Sequence, residues 1–148
     1  MAEIYFLDVN IPIYAAGREH NYRDSCQLVM TDIAEGLIQA AIDTEIIQEL
    51  LYRFGALGQP LTGVEIANYL LALVPTIYPV VPEDIRLAIK LFERYAPKGV
   101  QARDVIHVAV MKSNGLSQIV STDTHFDKIQ GVRRHDPKDI VAKTKRTK

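Results

Sequence analysis

Acidic residues stand beside apolar segments at three separate places in this sequence. Asp8 directly follows the apolar run IYFL (4–7), and Asp123 lies just after the run QIVS (118–121). Asp104 heads the segment VIHVAVM (105–111), in which only His107 is not apolar. A lone buried carboxylate is costly because a protein interior solvates charge poorly. We therefore expect each of these acids to have a partner.

The chemistry that such acids favour together is the binding of a divalent cation. Converging carboxylates repel one another and raise one another's pKa, so a group of them stays ionised when cations fill the space between them. Carboxylate oxygens suit Mg²⁺ or Mn²⁺. The four histidines are scattered and Cys26 is the only cysteine, so no set has the spacing of a zinc site.

Each acid also has a purely structural explanation. Asp8 and Asp123 could simply cap or turn the chain after their strands. Glu49, a further candidate, lies beside the apolar stripe of its helix, with Arg53 four residues later as an ordinary surface partner. Asp104 has the weakest explanation of this kind, because a helix dipole stabilises an anion by only about 0.3–1 kcal/mol. Arginines that could pair with Asp104 are Arg86, Arg94 and Arg103.

The elements that must position these acids alternate along the chain. Strands are predicted over 4–7, 39–43, 77–81, 118–121 and 132–134, and Pro79 makes the third an edge strand. Helices are predicted over 24–38, 44–54, 62–74, 82–95 and 101–113, besides a short one after Asn10. Asn10 and Thr44 are the expected caps, and the helix over 82–95 carries one apolar face of Ile85, Ala88, Ile89 and Phe92.

This alternation indicates an α/β domain with a mostly parallel sheet. Ligands of such domains bind beyond the carboxyl ends of the strands, where Asp8 and Asp123 stand. The length of 148 residues suits one domain, expected over 1–142, followed by a basic, disordered tail over 143–148. A net charge of −1 is not typical of a general nucleic-acid coat.

The composition also bears on the expected location of the protein. The first ten residues lack the pattern of a signal peptide. A single cysteine excludes an internal disulfide and fits a reducing, cytoplasmic environment. Prolines interrupt the longest apolar stretches, so no membrane span is expected.

Four motifs in order resemble those of the PIN domain family, specifically the VapC-like ribonuclease toxins of type II toxin–antitoxin systems. FLDVNIPIYAAG resembles the opening strand and small helix of the family, with Asp8 and Asn10. IIQELLYRF, ARDVIHVAVM and VSTDTHFDKI resemble the later motifs, with Glu49, Asp104 and Asp123 as their acids. The resemblance covers nearly the whole chain. One departure is Val9, where many relatives carry a small hydroxyl residue.

The resemblance implies a three-layer α/β/α fold and a metal-dependent endoribonuclease that uses Mg²⁺ or Mn²⁺. Asp8, Asp104 and Asp123 would be the metal ligands, and Glu49 would complete the catalytic set by filling the shell or orienting a water. Residues that would support the site or contact RNA are Asn10, Thr122, Arg103, His125 and Lys128. The expected partners are RNA, a cognate antitoxin protein and a second copy of the chain.

Other functions remain open at this point. A haloacid-dehalogenase-type phosphatase needs a second Asp two residues after the first, and Asn10 occupies that position. A receiver domain requires paired acids after the first strand and a Lys directly after a late one, and neither is present. A non-toxin RNA-processing nuclease and a catalytically silent RNA-binding module of the same family are the remaining alternatives.

Overall fold

Five parallel strands form a single sheet in the order β3-β2-β1-β4-β5. A computed structural model describes residues 3–143, and the side chains of residues 3–141. The strands are β1 (Ile4–Leu7), β2 (Gln39–Asp43), β3 (Thr76–Tyr78), β4 (Gln118–Val120) and β5 (Arg133–His135). The helices are α1 (Asn10–Ala16), α2 (Arg23–Ala34), α3 (Thr44–Ala56), α4 (Pro60–Leu73), α5 (Pro82–Tyr95), α6 (Ala102–Ser113) and α7 (Pro137–Lys143). The predicted parallel sheet and the edge position of β3 are confirmed.

Helices cover both faces of the sheet. Successive residues of a strand point to opposite faces. Phe6 and Leu7 of β1 are both buried, and so are Ile119 and Val120 of β4. A sheet buried on both faces is the usual state of parallel strands joined by helices. The predicted three-layer α/β/α architecture is therefore confirmed.

Two of the predicted helix caps are wrong. The cap position of α1 is Val9, and Asn10 is the first residue of the helix. The cap of α3 is Asp43, whose Oδ1 accepts a hydrogen bond from the backbone N–H of Ile46 at 3.1 Å. Thr44 instead accepts a hydrogen bond from the N–H of Val80 at the edge of the sheet. An ionised carboxylate is a stronger acceptor than a hydroxyl, which favours Asp43 as the cap.

The apolar face predicted for α5 lies largely in solvent. Ile85, Ile89 and Phe92 are 39%, 66% and 42% exposed, and only Ala88 of that face is buried. The α7 helix was not predicted. The tail expected over 143–148 lies outside the described residues, apart from the backbone of Lys143, which ends α7. Within the described part of the chain, every helix is too short or too polar to cross a membrane.

Candidate active site

The hydroxyl of Ser121 connects the ends of β1 and β4. Asp8 follows β1 and continues its pairing with β4, because its N–H donates to the carbonyl of Val120 at 3.1 Å. Ser121 follows β4, is fully buried, and donates its hydroxyl proton to Asp8 Oδ2 at 2.6 Å. The Ser121 oxygen accepts from the N–H of Asp123 at 3.0 Å and from Asn10 Nδ2 at 3.5 Å. A hydroxyl can donate one hydrogen bond and accept two, and all three positions of the Ser121 hydroxyl are filled. Ser121 therefore holds the surrounding groups in a fixed arrangement.

Asn10 contributes an oxygen that is not engaged inside the protein. Its Oδ1 atom is buried and has no hydrogen-bond partner among the described residues. Buried polar atoms of this kind are uncommon and call for a ligand or a water. Val9, at the position where many relatives carry a small hydroxyl residue, packs into the hydrophobic core and offers Asn10 no side-chain hydrogen bond. The unpartnered oxygen of Asn10 is therefore a candidate contact for a ligand of the site.

Asp8 and Asp104 are buried carboxyls whose pKa values are shifted in the same direction. Burial raises the pKa of Asp8, and the charge of Glu49 raises it further, against the lowering effect of His107 and Ser121. Burial raises the pKa of Asp104 to about 6, and the charges of Asp8 and Asp123 add to the shift. The acids are thus close enough to repel one another, which is the behaviour expected of a site for a cation.

Asp104 is held in place by the start of its own helix. Its Oδ2 accepts a hydrogen bond from the N–H of Gln101 at 3.2 Å. None of the three arginines considered as its partner fulfils that role within the described residues. Arg86 pairs with Glu83, Arg94 bonds Gln130, and Arg103 pairs with Glu49. Within the described residues Asp104 therefore forms no ion pair, and His107 acts on it only through the lowering effect of its charge on the Asp104 pKa.

Asp123 is the most exposed acid of the group, and it orients a histidine. Its Oδ1 accepts from the N–H of His125 at 2.9 Å and lies 2.7 Å from His125 Nδ1. Thr122 lies between Ser121 and Asp123 and is partly buried. Lys128 donates to the carbonyl of Lys98 at 2.8 Å, a contact that joins the ends of the short 3₁₀ helices Ala96–Lys98 and Thr124–Lys128. His125 thus accompanies Asp123 at the site, whereas Lys128 has a structural contact.

Glu49 is engaged at both of its carboxylate oxygens. Its Oε1 lies 2.6 Å from Nε2 of His107, which is fully buried on α6. Its Oε2 forms an ion pair with Nε of Arg103 at 3.1 Å. The other ring nitrogen of His107, Nδ1, lies 2.8 Å from Asp43 Oδ2. The surface pair of Glu49 with Arg53 expected from the sequence is replaced by these two contacts.

His107 bears a positive charge in this arrangement. Both of its ring nitrogens face carboxylate oxygens, and a neutral imidazole has only one N–H to donate. Burial acts to lower the pKa of His107, but the hydrogen bonds to Asp43 and Glu49 outweigh it and raise the pKa well above its ordinary value. His107 is therefore a charged hydrogen-bonding residue of the protein interior. The formal charges of this group cancel, because the carboxylates of Asp43 and Glu49 face the His107 imidazolium and the Arg103 guanidinium.

The structure brings the predicted site residues together as two neighbouring groups. Ser121 joins Asp8, Asn10 and Asp123, while His107 joins Glu49 to Asp43. Asp104 interacts electrostatically with members of both groups. Within residues 3–141, however, no three acidic, histidine or cysteine side chains already stand as a finished metal-ligand set.

Two residues of the site were missed from the sequence, and both had a detectable signal. Ser121 directly follows a strand at the same edge of the sheet as Asp8. Asp43 ends β2, so the reasoning that selected Asp8 and Asp123 as strand-end acids applies to it equally.

The raised pKa of Asp104 predicts a pH-dependent stability difference. The folded state holds the proton more tightly than the unfolded chain, so this carboxyl lowers stability as pH rises from about 4 to about 6. Asp104→Asn should therefore stabilise the metal-free protein at pH 7.5 by up to about 3 kcal/mol, because one pKa unit corresponds to about 1.4 kcal/mol. The gain should vanish below about pH 4, where the ordinary carboxyl is protonated.

Urea unfolding in the presence of EDTA, at pH 7.5 and below about pH 4, measures the difference in stability between Asp104→Asn and the wild type. The exposed acid Asp139 supplies the control, and Asp139→Asn should give no gain at either pH. An Asp104→Asn variant that is no more stable than the wild type at pH 7.5 would show that the ionised Asp104 carboxylate does not destabilise the folded state.

Comparison with known proteins gives a consistent family assignment. The sequence profile of the PIN domain family matches residues 5–132. Ribonuclease VapC13 of Mycobacterium tuberculosis is 27% identical over 128 residues, covering 86% of this chain and 96% of that protein. Ribonuclease VapC23 of the same species is 30% identical over 118 residues, covering 80% of this chain and 91% of that protein.

A solved structure agrees in fold. The toxin–antitoxin complex from Klebsiella pneumoniae contains a chain that superposes with a TM-score of 0.63 at 18% identity, covering 90% of this chain and 97% of that one. Identity this low establishes similarity of fold alone. Because the family profile spans most of the sequence and the parallel sheet carries the acids at its carboxyl edge, this chain belongs to the PIN domain family.

Proposed function

We propose that this protein is a Mg²⁺-dependent endoribonuclease and the toxin of a toxin–antitoxin pair. The observation that carries the proposal is the set of mutually repelling acids at the carboxyl edge of the sheet, in a chain homologous to VapC ribonucleases. Asp8, Asp104 and Asp123 would be the metal ligands. Mn²⁺ would serve as a substitute because it accepts the same oxygen ligands.

The residues present fit a hydrated Mg²⁺ ion. Mg²⁺ usually keeps several waters and is held by one or two carboxylates together with substrate phosphates. A site of that kind does not need three preformed protein ligands. The carboxylates of Asp8 and Asp104 and the unpartnered Oδ1 of Asn10 are hard oxygen donors. When bound, the ion would lower the pKa of a water and so supply a nucleophile for phosphodiester hydrolysis.

The side chains around the acids would position the substrate. Ser121 fixes the orientation of Asp8 through a short hydrogen bond. Arg103 pairs with Glu49 and has a half-exposed side chain, so its guanidinium would bind a backbone phosphate. His125, oriented by Asp123, and Thr122 are partly exposed and would contact the RNA.

An RNA cleavage assay tests the proposed reaction directly. Purified protein is incubated with labelled single-stranded and hairpin RNAs in Mg²⁺, in Mn²⁺ and in EDTA. We expect cleavage with either metal ion and none in EDTA. Intact RNA under all three conditions would contradict the nuclease proposal and favour the silent RNA-binding module. Cleavage without toxicity on expression would favour the RNA-processing nuclease.

Binding of Mg²⁺ should be measurable without any substrate. A ligand that binds only the folded state stabilises it by RT ln(1 + [L]/Kd), about 2.7 kcal/mol at a hundredfold excess over Kd. We expect Mg²⁺ to raise the melting temperature of the wild type, because it relieves the repulsion between Asp8 and Asp104. The Asp104→Asn variant should show a smaller rise. Equal rises in both proteins would mean that the ion binds elsewhere.

We further propose that an antitoxin segment inhibits the protein by lying beside α1 and presenting a basic side chain to the acids. A cavity of about 370 Å³ lies among α1, α2 and α4, and its lining includes Pro12, Ala15, Met30, Ile66 and Tyr69. Amphipathic helices bind such apolar grooves, and an Arg fork pairs well with carboxylates. The Klebsiella chain of similar fold comes from a toxin–antitoxin complex.

Co-expression with the adjacent gene tests this partnership. The neighbouring product should co-purify and suppress RNA cleavage, and removing its C-terminal segment should restore cleavage. A neighbour that neither binds nor inhibits would contradict the antitoxin proposal while leaving the nuclease proposal intact.

Self-association is the remaining expected partnership. The run 69–81 contains no charged residue, and its members Tyr69 and Leu71 are 51% and 44% exposed. Ile89 and Phe92 of α5 add exposed apolar area. Because large exposed apolar patches mark interfaces, we expect a dimer. Light scattering at micromolar concentration should give twice 16.6 kDa, and a monomer throughout would contradict pairing.

A further inference from the structure

The two carboxylate oxygens of Glu49 have partners of very different accessibility. Oε1 faces His107, whose side chain is 0% exposed, whereas Oε2 faces Arg103, whose side chain is 49% exposed. The Glu49 side chain itself is only 9% exposed. Glu49 therefore links a fixed interior group to a cation at the protein surface.

The interior end of this link cannot move independently. His107 is held from both sides, because Nδ1 faces Asp43 Oδ2 at 2.8 Å and Nε2 faces Glu49 Oε1 at 2.6 Å. Asp43 is fixed in turn by its own capping bond from the N–H of Ile46. These three residues, Asp43, His107 and Glu49, are called the buried triad here. Its two carboxylates and one imidazolium carry one excess negative charge, which Arg103 neutralises.

The contact with Glu49 determines which part of Arg103 faces outward. Arg103 reaches Glu49 through Nε, at 3.1 Å. Nη1 and Nη2 lie at the end of the planar guanidinium that points away from the side-chain stem, and they form the fork that binds phosphate oxygens in pairs. Within the described residues, Glu49 is the only carboxylate that pairs with Arg103. Arg103 is held by Glu49, and the charge of Glu49 acts on Asp8, so the fork lies near the acids of the site.

We propose that the buried triad positions Arg103 as the phosphate-binding group for the RNA backbone, and that Glu49 acts as a positioning residue through Arg103 rather than as a metal ligand. This inference rests on the proposed RNA substrate, but it does not require that the RNA be cut. It accounts for two features that a metal-ligand role leaves unexplained. Both oxygens of Glu49 are already occupied, and the chain uses a buried imidazolium to hold one of them.

The proposal is tested first by RNA binding in EDTA, where no cleavage can occur. A short fluorescein-labelled single-stranded RNA is titrated with the full-length protein, and fluorescence anisotropy reports the Kd. Hydrogen bonds to charged groups contribute about 1.5–3 kcal/mol, so Arg103→Gln should weaken binding about ten- to hundredfold. Arg103→Lys, which keeps the charge without the fork, should show an intermediate loss. Arg53→Gln removes an equal charge from the exposed surface of α3 and should leave the Kd unchanged within about twofold.

Glu49→Gln separates positioning from metal binding. We expect it to weaken RNA binding in EDTA and to raise KM, with little change in kcat or in the Mg²⁺ concentration that gives half-maximal cleavage. The double variant with Arg103→Gln should bind no more weakly than Arg103→Gln alone, because residues acting through one another are not additive. Arg103 is half exposed and Arg103→Lys keeps the charge that faces Glu49, so we expect this variant to stay folded and to support the test even if Glu49→Gln is unstable.

Three results would overturn the inference. Glu49→Gln could raise the Mg²⁺ requirement while leaving metal-free RNA binding intact, which would make it a metal ligand. The losses of the two single variants could multiply in the double variant, which would make the residues independent. Arg103→Gln could bind RNA as well as the wild type does. Each of these differs from failure of the nuclease proposal, in which the wild type cuts no RNA with any divalent ion.

Discussion

Asp8→Asn should abolish metal-dependent RNA cleavage while leaving the protein folded. The substitution keeps the shape of the side chain but removes the charge of the carboxylate proposed to bind the metal. Loss of groups that merely support a metal ligand lowers metal affinity or activity about 10–100-fold. Loss of the ligand charge itself should therefore lower the cleavage rate by about two orders of magnitude or more.

The folded state should tolerate Asp8→Asn because two effects oppose each other. One of the hydrogen bonds that Asp8 accepts, from Ser121 or from the N–H of Val9, must be weakened, since an amide has one acceptor oxygen. The repulsion and burial that raise the pKa of Asp8 are removed at the same time. We expect the free energy of unfolding of the metal-free protein to change by no more than about 1 kcal/mol, or to rise slightly.

Single-turnover cleavage and urea unfolding of the same preparation measure these two outcomes. Asp24→Asn, which removes an exposed acid from α2, is the matched control and should retain the wild-type rate. A folded Asp8→Asn variant that cuts RNA at the wild-type rate would remove Asp8 from the proposed chemistry.

His107→Leu should destabilise the protein more than any surface substitution. The change introduces an apolar side chain of similar size and leaves the carboxylates of Asp43 and Glu49 buried without their shared cation. Breaking a buried ion pair by removing one partner costs about 3–5 kcal/mol, because the remaining charge is uncompensated. That is a large fraction of the 5–15 kcal/mol that typically separates the folded and unfolded states of a domain. The midpoint of urea unfolding should fall accordingly.

Two further variants identify the cause of that loss. Met111→Leu replaces another fully buried residue of α6 with one of similar volume and should cost less than about 1.5 kcal/mol. Adding Asp43→Asn and Glu49→Gln to His107→Leu should recover part of the stability, because neutral amides cost less to bury than carboxylates. If the amides recover nothing, the loss comes from packing and not from unpaired charge.

Features that depend on local pattern could be predicted from the sequence. The apolar runs that became β1, β2 and β4 are short and bounded by polar residues, so their strands and their burial on both faces were recognisable. The edge position predicted for the third strand is correct, although β3 ends at Tyr78 and Pro79 follows it. The acids that directly follow or head these buried segments, Asp8, Asp123 and Asp104, were recognisable for the same reason. Order along the chain and local burial are sufficient for such inferences.

Local pattern failed where a choice depended on competing neighbours. Asn10 and Thr44 were plausible caps, but Asp43 caps α3 and the amide of Asn10 points to Ser121. The apolar face of α5 had good helical spacing, yet Ile89 and Phe92 remain exposed. Spacing shows that residues share a face, but it does not show which face meets the core.

The identity of each acid's partner was decided only by the tertiary structure. Glu49 had Arg53 at a favourable helical spacing, yet it pairs with Arg103 and His107, which lie more than fifty positions away in sequence. The Ser121 hydroxyl that holds Asp8 is separated from it by 113 positions. The sequence by itself determined which segments would be buried and that acids would lie at their ends. Parallel strand order then decided which of these ends became neighbours, because pairing β1 with β4 brings residues from opposite ends of the chain into hydrogen-bond contact.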